Sequence, residues 1–225
     1  MNDPTPLVRA YLLRHGEVSS HRGDVPITAA AREQAEEVGS RIATEVGGRR
    51  ITLLSGDTRR TQETAEHLSK GIERSAGVVT GPTVAHALRN PDLYLAGHRV
   101  DMVSSPEALA AQVPGLNADD VAALEFFPQF IGEKDRIGWW LRHPNPPGEG
   151  ASAIADRIDA FARSLINPYN EEQIIVVAVT HSPLLRAVGL MKLHRDIGEP
   201  PWTSGLTLDI DRSGVITTSL YPESG

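Results

Sequence analysis

The chain has 225 residues, of which 40% are hydrophobic, and carries a formal net charge of −7 from 22 basic and 29 acidic residues. That size and balance predict a single domain spanning 1–225 with a real core, and they argue against nucleic acid or an anionic membrane as a partner. The absence of cysteine excludes thiol nucleophiles, disulfides and thiolate metal sites. The start of the chain is Pro-rich and polar and no apolar segment reaches the ~18 residues of a membrane span, so a cytoplasmic protein is expected.

The first apolar run, Leu7 to Leu13, is broken only by Arg9 and predicts a strand with Arg14-His15-Gly16-Glu17 at its carboxyl end. Those residue types suit a phosphate trap. Gly16 lets backbone approach an anion, Arg14 supplies a fork of donors, and a neutral His15 is a nucleophile. Thr28 then stands as an N-cap, and Ile27, Ala31, Ala35, Val38, Ile42 and Val46 recur at helical spacing until Gly47-Gly48. A second strand, Ile51 to Leu54, leads into a helix expected from Asp57 or Thr58 to about Lys70, with Arg60 in its first turn. A guanidinium there would share an anion with the helix N–H groups.

From about 97 to 147 the pattern loosens into an insertion expected to fold over the site, with helical stretches near Pro106 to Gln112, Ala118 to Phe130 and Asp135 to Arg142. Its aromatic residues, Phe126, Phe127, Phe130, Trp139 and Trp140, fit a small satellite core better than a leaving-group pocket. Ile154, Ile158, Phe161 and Leu165 mark a helix ended by Asn167-Pro168. Ile174 to Val179 reads as a central strand buried on both faces. Ser182 as N-cap and Pro183 in the first turn would open a helix through Met191, placing His181 between a buried strand and a helix N-terminus. Thr207 to Ile210 and Val215 to Leu220 read as a closing hairpin. The expected class is α/β: a three-layer α/β/α sandwich with a mostly parallel central sheet and a helical insertion over the active site.

Strand ends bearing Arg14, His15, Arg60 and His181 would meet at one sheet edge, where open α/β sheets hold ligands. Taken in order, Arg-His-Gly-Glu, Pro26-Ile27-Thr28 with Gln34-Ala35, Arg60-x-x-x-Thr64-Ala65, Gly148-Glu149 before a helix and then His181 resemble the histidine phosphatase superfamily, the phosphoglycerate mutase-like group. The resemblance runs from about Leu7 to Leu190. It implies that His15 attacks phosphorus and becomes a phosphohistidine, that Arg14, Arg60 and His181 hold the equatorial oxygens, and that water then releases phosphate. A carbonyl or carboxylate should take the other imidazole proton of His15, and the nearby arginines should disfavour its imidazolium. No metal or other cofactor is implied.

Where the family's commoner pattern has a Glu after a Leu-Arg or Leu-Tyr pair, this chain has Asn90, which donates no acidic proton, so Asp92 is the candidate general acid. Gly16, Glu17, His21 and Ser182 join Arg14 and Arg60 as candidate substrate-binding residues, Glu17 also as a support for the loop. Glu149 suits a supporting role, with Arg157 one helical face along. The expected function is a metal-independent phosphomonoesterase acting on a small phosphorylated metabolite. A phosphoglycerate mutase-type phosphotransferase is the first alternative, disfavoured because Val18-Ser19-Ser20-His21 stands where family mutases carry a Trp-Asn pair. A catalytically inactive phosphate-binding or regulatory protein is the second, supported by Asn90. Exposed apolar patches near Trp139 or Trp202 would favour a homodimer.

Overall fold

The computed structural model describes residues 5–20, 23–167 and 172–223. Its main sheet has six strands in the order β3-β2-β6-β1-β7-β8. These are β1 (Val8–Arg14), β2 (Ile51–Ser55), β3 (Val79–Val84), β6 (Ile174–Thr180), β7 (Gly205–Ile210) and β8 (Ile216–Tyr221). Pairings β1·β6, β2·β6 and β2·β3 are parallel, while β7 runs antiparallel to β1 and β8 to β7.

The apolar alternation explains why the central strands are buried on both sides. Val8, Ala10 and Leu12 of β1 and Val176 and Ala178 of β6 join one core cluster, whereas Tyr11, Leu13, Ile175, Val177 and Val179 join another on the opposite face. Each large aliphatic side chain buried this way stabilises the fold by ~2 kcal/mol. Arg9, the one charge inside the first run, faces Asp209 directly across β7 and forms a two-point ion pair at 2.8 and 2.7 Å.

One face is covered by α1 (Ala29–Glu45) and α2 (Arg59–Arg74), the other by α7 (Ala151–Ser164) and α8 (Ser182–Leu193). The Thr28 hydroxyl caps α1 by accepting from Ala31 N at 3.2 Å. The cap of α8 is His181 rather than Ser182, one residue earlier than the sequence reading, with Pro183 in the first turn. The strand β3 and a short hairpin, β4 (Leu93–Leu95) with β5 (His98–Val100), were not predicted. The hairpin turns through Ala96 and Gly97, both at positive φ (47° and 81°).

The insertion holds α3 (Pro106–Ala110), α4 (Ala118–Ala122), α5 (Phe126–Gly132) and α6 (Arg136–Arg142). Its aromatic residues form a satellite of the main core. Phe127, Phe130 and Trp140 are buried and Phe126 and Trp139 pack against them. The proline proposed to end α7, Pro168, lies outside the described residues.

Candidate active site

The strand ends meet as the chain order requires. His15 N donates to Thr180 O at 2.9 Å, which extends the β1·β6 ladder past its end and sets the imidazole beside His181. The two ring centroids are 5.4 Å apart. His15 Nδ1 lies 2.8 Å from Gly16 O. A carbonyl only accepts, so Nδ1 carries the proton and Nε2 is the basic, nucleophilic nitrogen.

Arg60 enters through a coupled loop and helix. Thr64 Oγ1 accepts from Gly16 N at 2.9 Å and donates to Arg60 O at 2.6 Å, so the Arg-x-x-x-Thr spacing ties the first turn of α2 to the loop after β1. Arg60 lines a cavity beside the histidines, whereas Arg59 lies outside it and pairs with Glu63 at 2.7 Å. Burial pushes the Arg60 guanidinium below its ordinary pKa.

His181 is only 2% exposed. Burial first, then the charges of Arg60 and its neighbours, holds its pKa well below the ordinary histidine value, so the imidazole is neutral. Arg14 is also buried. Its NH1 donates to Pro200 O and its NH2 pairs with Glu199, each at 2.6 Å, and its guanidinium lies 3.4 Å above the Trp202 ring. Burial brings it down to about 10, with Glu199 opposing. Among the described residues, the buried side-chain nitrogens without a hydrogen-bond partner include Arg14 Nε, Arg60 Nε and His181 Nε2.

Several expected contacts fall elsewhere. Gly16 donates its N–H to Thr64, and a Cβ there would stand 3.0 Å from the Ala31 Cβ, so its smallness serves loop-on-helix packing rather than an anion. Glu17 is exposed and accepts from Thr28 through both its side chain and its carbonyl, which supports the start of α1. The Ser182 hydroxyl donates to Glu199 at 2.5 Å, so it acts on the group that holds Arg14. His21 lies outside the described residues.

Asp92 does not suit a proton donor. Its carboxylate is gripped by Arg89 (2.6 Å) and Arg99 (2.5 Å). Burial alone would raise its pKa, but those hydrogen bonds and charges bring it down to about 2. It is therefore an ionised strut. Glu149 Oε2 accepts from Asp92 N at 2.8 Å and Glu149 Oε1 pairs with Arg157 at 3.2 Å, which puts both predicted supporting residues in one ionic network under the site.

The cavity beside this cluster has a volume of about 230 Å³, below the usual range for drug-sized ligands. It is lined by Asp24, Asp57, Arg60, Asn90, Arg99 and Asp101, with Gly23 and Thr58. The insertion thus reaches it through β5 and the residue after it, not through its aromatic helices. Trp139 and Trp202 are both half-buried, Trp139 against Phe126 and Trp202 under the Arg14 guanidinium. Sequence reading missed Glu199, Pro200 and the Trp202 stack. No local motif announces them, because they reach Arg14 from the connection before β7.

The mostly parallel sheet flanked by helices, with His15 and His181 at adjacent strand ends and Arg60 on the helix after β2, is an α/β fold of the phosphoglycerate mutase type. The family model of the histidine phosphatase superfamily (branch 1) matches residues 10–90. No curated protein sequence matches it. Among solved structures it is similar to mycobacterial glucosyl-3-phosphoglycerate phosphatase, with 22% identity, a TM-score of 0.57, and coverage of 96% of this chain and 99% of that one. It is also similar to phosphoglycerate mutase from Bacillus anthracis, with 15% identity, a TM-score of 0.59, and coverage of 97% and 94%. At these identities the likeness establishes the shared fold.

Proposed function

We propose that the protein is a phosphomonoesterase that works without a metal ion, through a phosphohistidine at His15, on a small phosphorylated metabolite in the cytoplasm. The observation that carries this reading is the set of buried nitrogens without partners, Arg14 Nε, Arg60 Nε and His181 Nε2, around an imidazole whose tautomer Gly16 O selects. Buried polar atoms are rarely left unpaired, and a phosphoryl group would satisfy these three.

In the first step His15 Nε2 attacks phosphorus, the N–P bond forms as the ester P–O bond breaks, and the electron pair leaves on the alkoxide. The Arg14 and Arg60 guanidiniums stabilise the charge on the equatorial oxygens, and neutral His181 donates a hydrogen bond from Nε2–H. Water then attacks phosphorus and the pair returns to His15. Arg14 keeps its hold on Glu199 and Pro200 while its Nε–H serves the phosphoryl group.

Hydrolysis is favoured over mutase chemistry because Val18, in the segment where mutases carry their recognition pair, is buried against Ile27. The mycobacterial relative is a phosphatase by name and is described in complex with inorganic phosphate and with VO3, ligands of the size this cluster suits. Asn90 in the cavity lining favours the other reading, a phosphate-binding protein without turnover.

Assay of p-nitrophenyl phosphate in the presence of a chelator separates these readings. Turnover in the wild-type chain that disappears in His15→Ala is expected. Phosphate binding without turnover in the wild type would favour the binding protein, and phosphoryl exchange between phosphoglycerate isomers faster than phosphate release would favour a mutase.

A further inference from the structure

With Asn90 unable to donate a proton and Asp92 held ionised, the leaving alkoxide needs another acid. The carboxylates lining the cavity are Asp24, Asp57 and Asp101. Asp24 Oδ1 accepts from Arg59 N at 2.7 Å and so holds the start of α2. Asp57 belongs to the loop that leads into α2, where its carbonyl accepts a single hydrogen bond from Gln62 Nε2 at 3.1 Å, and it shares the field of Arg60 and Arg99 with Asp101.

Asp101 differs in how it is held. Gln112 grips its backbone from both sides, with Asp101 N donating to Gln112 Oε1 at 2.8 Å and Gln112 Nε2 donating to Asp101 O at 3.3 Å. The side chain takes no part in that clamp, and no hydrogen bond or ion pair engages its carboxylate among the described residues. Fixed main chain with an uncommitted carboxyl on a cavity wall is what a proton donor requires. Asp101 lines the same cavity as Arg60, one of the groups proposed to hold the phosphoryl oxygens.

We propose that Asp101, carried into the cavity by the insertion, is the general acid and base of the reaction, taking over the task that Asn90 cannot perform. This rests on the phosphomonoesterase reading. As the ester P–O bond breaks, the electron pair on the leaving oxygen takes the proton of the Asp101 carboxyl, giving the alcohol and a carboxylate. In the second step that carboxylate takes a proton from the attacking water as the P–N bond to His15 breaks, which restores the acid. Gln112 is a positioning residue for it.

The test compares p-nitrophenyl phosphate, whose leaving group needs no proton, with phenyl phosphate and glycerol 2-phosphate, whose leaving groups do. Asp101→Asn should lower kcat/KM, which reports the step that expels the leaving group, by about 100-fold on glycerol 2-phosphate and by far less on p-nitrophenyl phosphate. Binding of inorganic phosphate, followed by Trp202 fluorescence, should be retained in the same variant, which shows that it is folded. Gln112→Leu should produce a weaker loss with the same dependence on the leaving group.

Equal losses of kcat/KM on all three esters in Asp101→Asn would overturn the assignment while leaving the phosphatase reading intact. So would a leaving-group-dependent loss in Asp57→Asn with Asp101→Asn silent. Failure of the wild-type chain to hydrolyse p-nitrophenyl phosphate would instead remove the parent reading, and the role of Asp101 with it.

Discussion

At the scale of single residues, the charge state of each group decides what it can do. Asp92 bonds to Arg89 and Arg99, so its loss removes the carboxylate that both guanidiniums share. Asp92→Asn is expected to lower stability by about 2 kcal/mol, the size of a charge-assisted hydrogen-bond pair. It should also reduce turnover by the same factor on good and poor leaving groups, a pattern opposite to that expected for Asp101→Asn. Urea unfolding and paired kinetics check both. His181 has a folded pKa well below its ordinary 6.5, so the unfolded chain binds more protons than the folded one. Its contribution to stability is therefore present above pH 6.5 and is lost as pH falls below it, by up to about 1.4 kcal/mol per pH unit. His181→Gln should flatten that slope in urea midpoints measured between neutral and mildly acidic pH. His15, Arg14, Arg60 and His181 were legible in the sequence because each stands at a fixed offset from an apolar run. The ion pairs that argue against Asp92 as the acid were not legible, because sequence adjacency to Asn90 says nothing about Arg99, which reaches it from across a hairpin.

At the scale of elements, the coupling of α1 to α2 sets the geometry of Arg60. The helices touch where glycines leave no room for side chains. A Cβ on Gly71 would fall 1.9 Å from Glu36 O, and one on Gly39 2.2 Å from Leu68 O. Gly71→Ala must push the helices apart, and a cost of about 1–3 kcal/mol is expected. Because the loop bond from Gly16 to Thr64 crosses the same interface, kcat should fall along with the urea midpoint. Helices α1, α2, α7 and α8 were predictable from their apolar spacing and punctuation by Thr28, Gly47, Gly150 and Pro183. The hairpin of β4 and β5 was not, since its turn uses Ala96 where the stronger signal would be Asn or Asp before glycine. Strand β3 was equally hidden: as the edge strand its residues are largely exposed and include Gly81 and Pro82, so it lacks the apolar run by which β2 and β6 announce themselves.

At the scale of the molecule, long-range ion pairs join the insertion and the segment before β7 to the sheet that carries the histidines. Arg186 of α8 is 3% exposed and reaches Asp135, which caps α6, and Asp196, which begins the return toward β7. Arg186 and a hydrogen bond from Gly138 hold the Asp135 carboxyl at about 2. Arg186→Leu should cost about 2 kcal/mol, because the carboxylates it abandons remain partly in water, and limited proteolysis should then cut first within the insertion. Such contacts were outside sequence reading, since nothing in a run of residues tells which distant helix its charges will meet. The fold class, by contrast, was legible, because alternating apolar runs and amphipathic helices leave few arrangements that bury both.

The central claim is that His15 carries the phosphoryl group between substrate and water. The most direct test is the intact mass of the protein quenched under alkaline conditions during turnover of p-nitrophenyl phosphate in chelator. A single acid-labile phosphoryl adduct, mapped to His15 and absent from His15→Ala, is the predicted result. Steady hydrolysis with no adduct, or with an adduct that persists in His15→Ala, would contradict it.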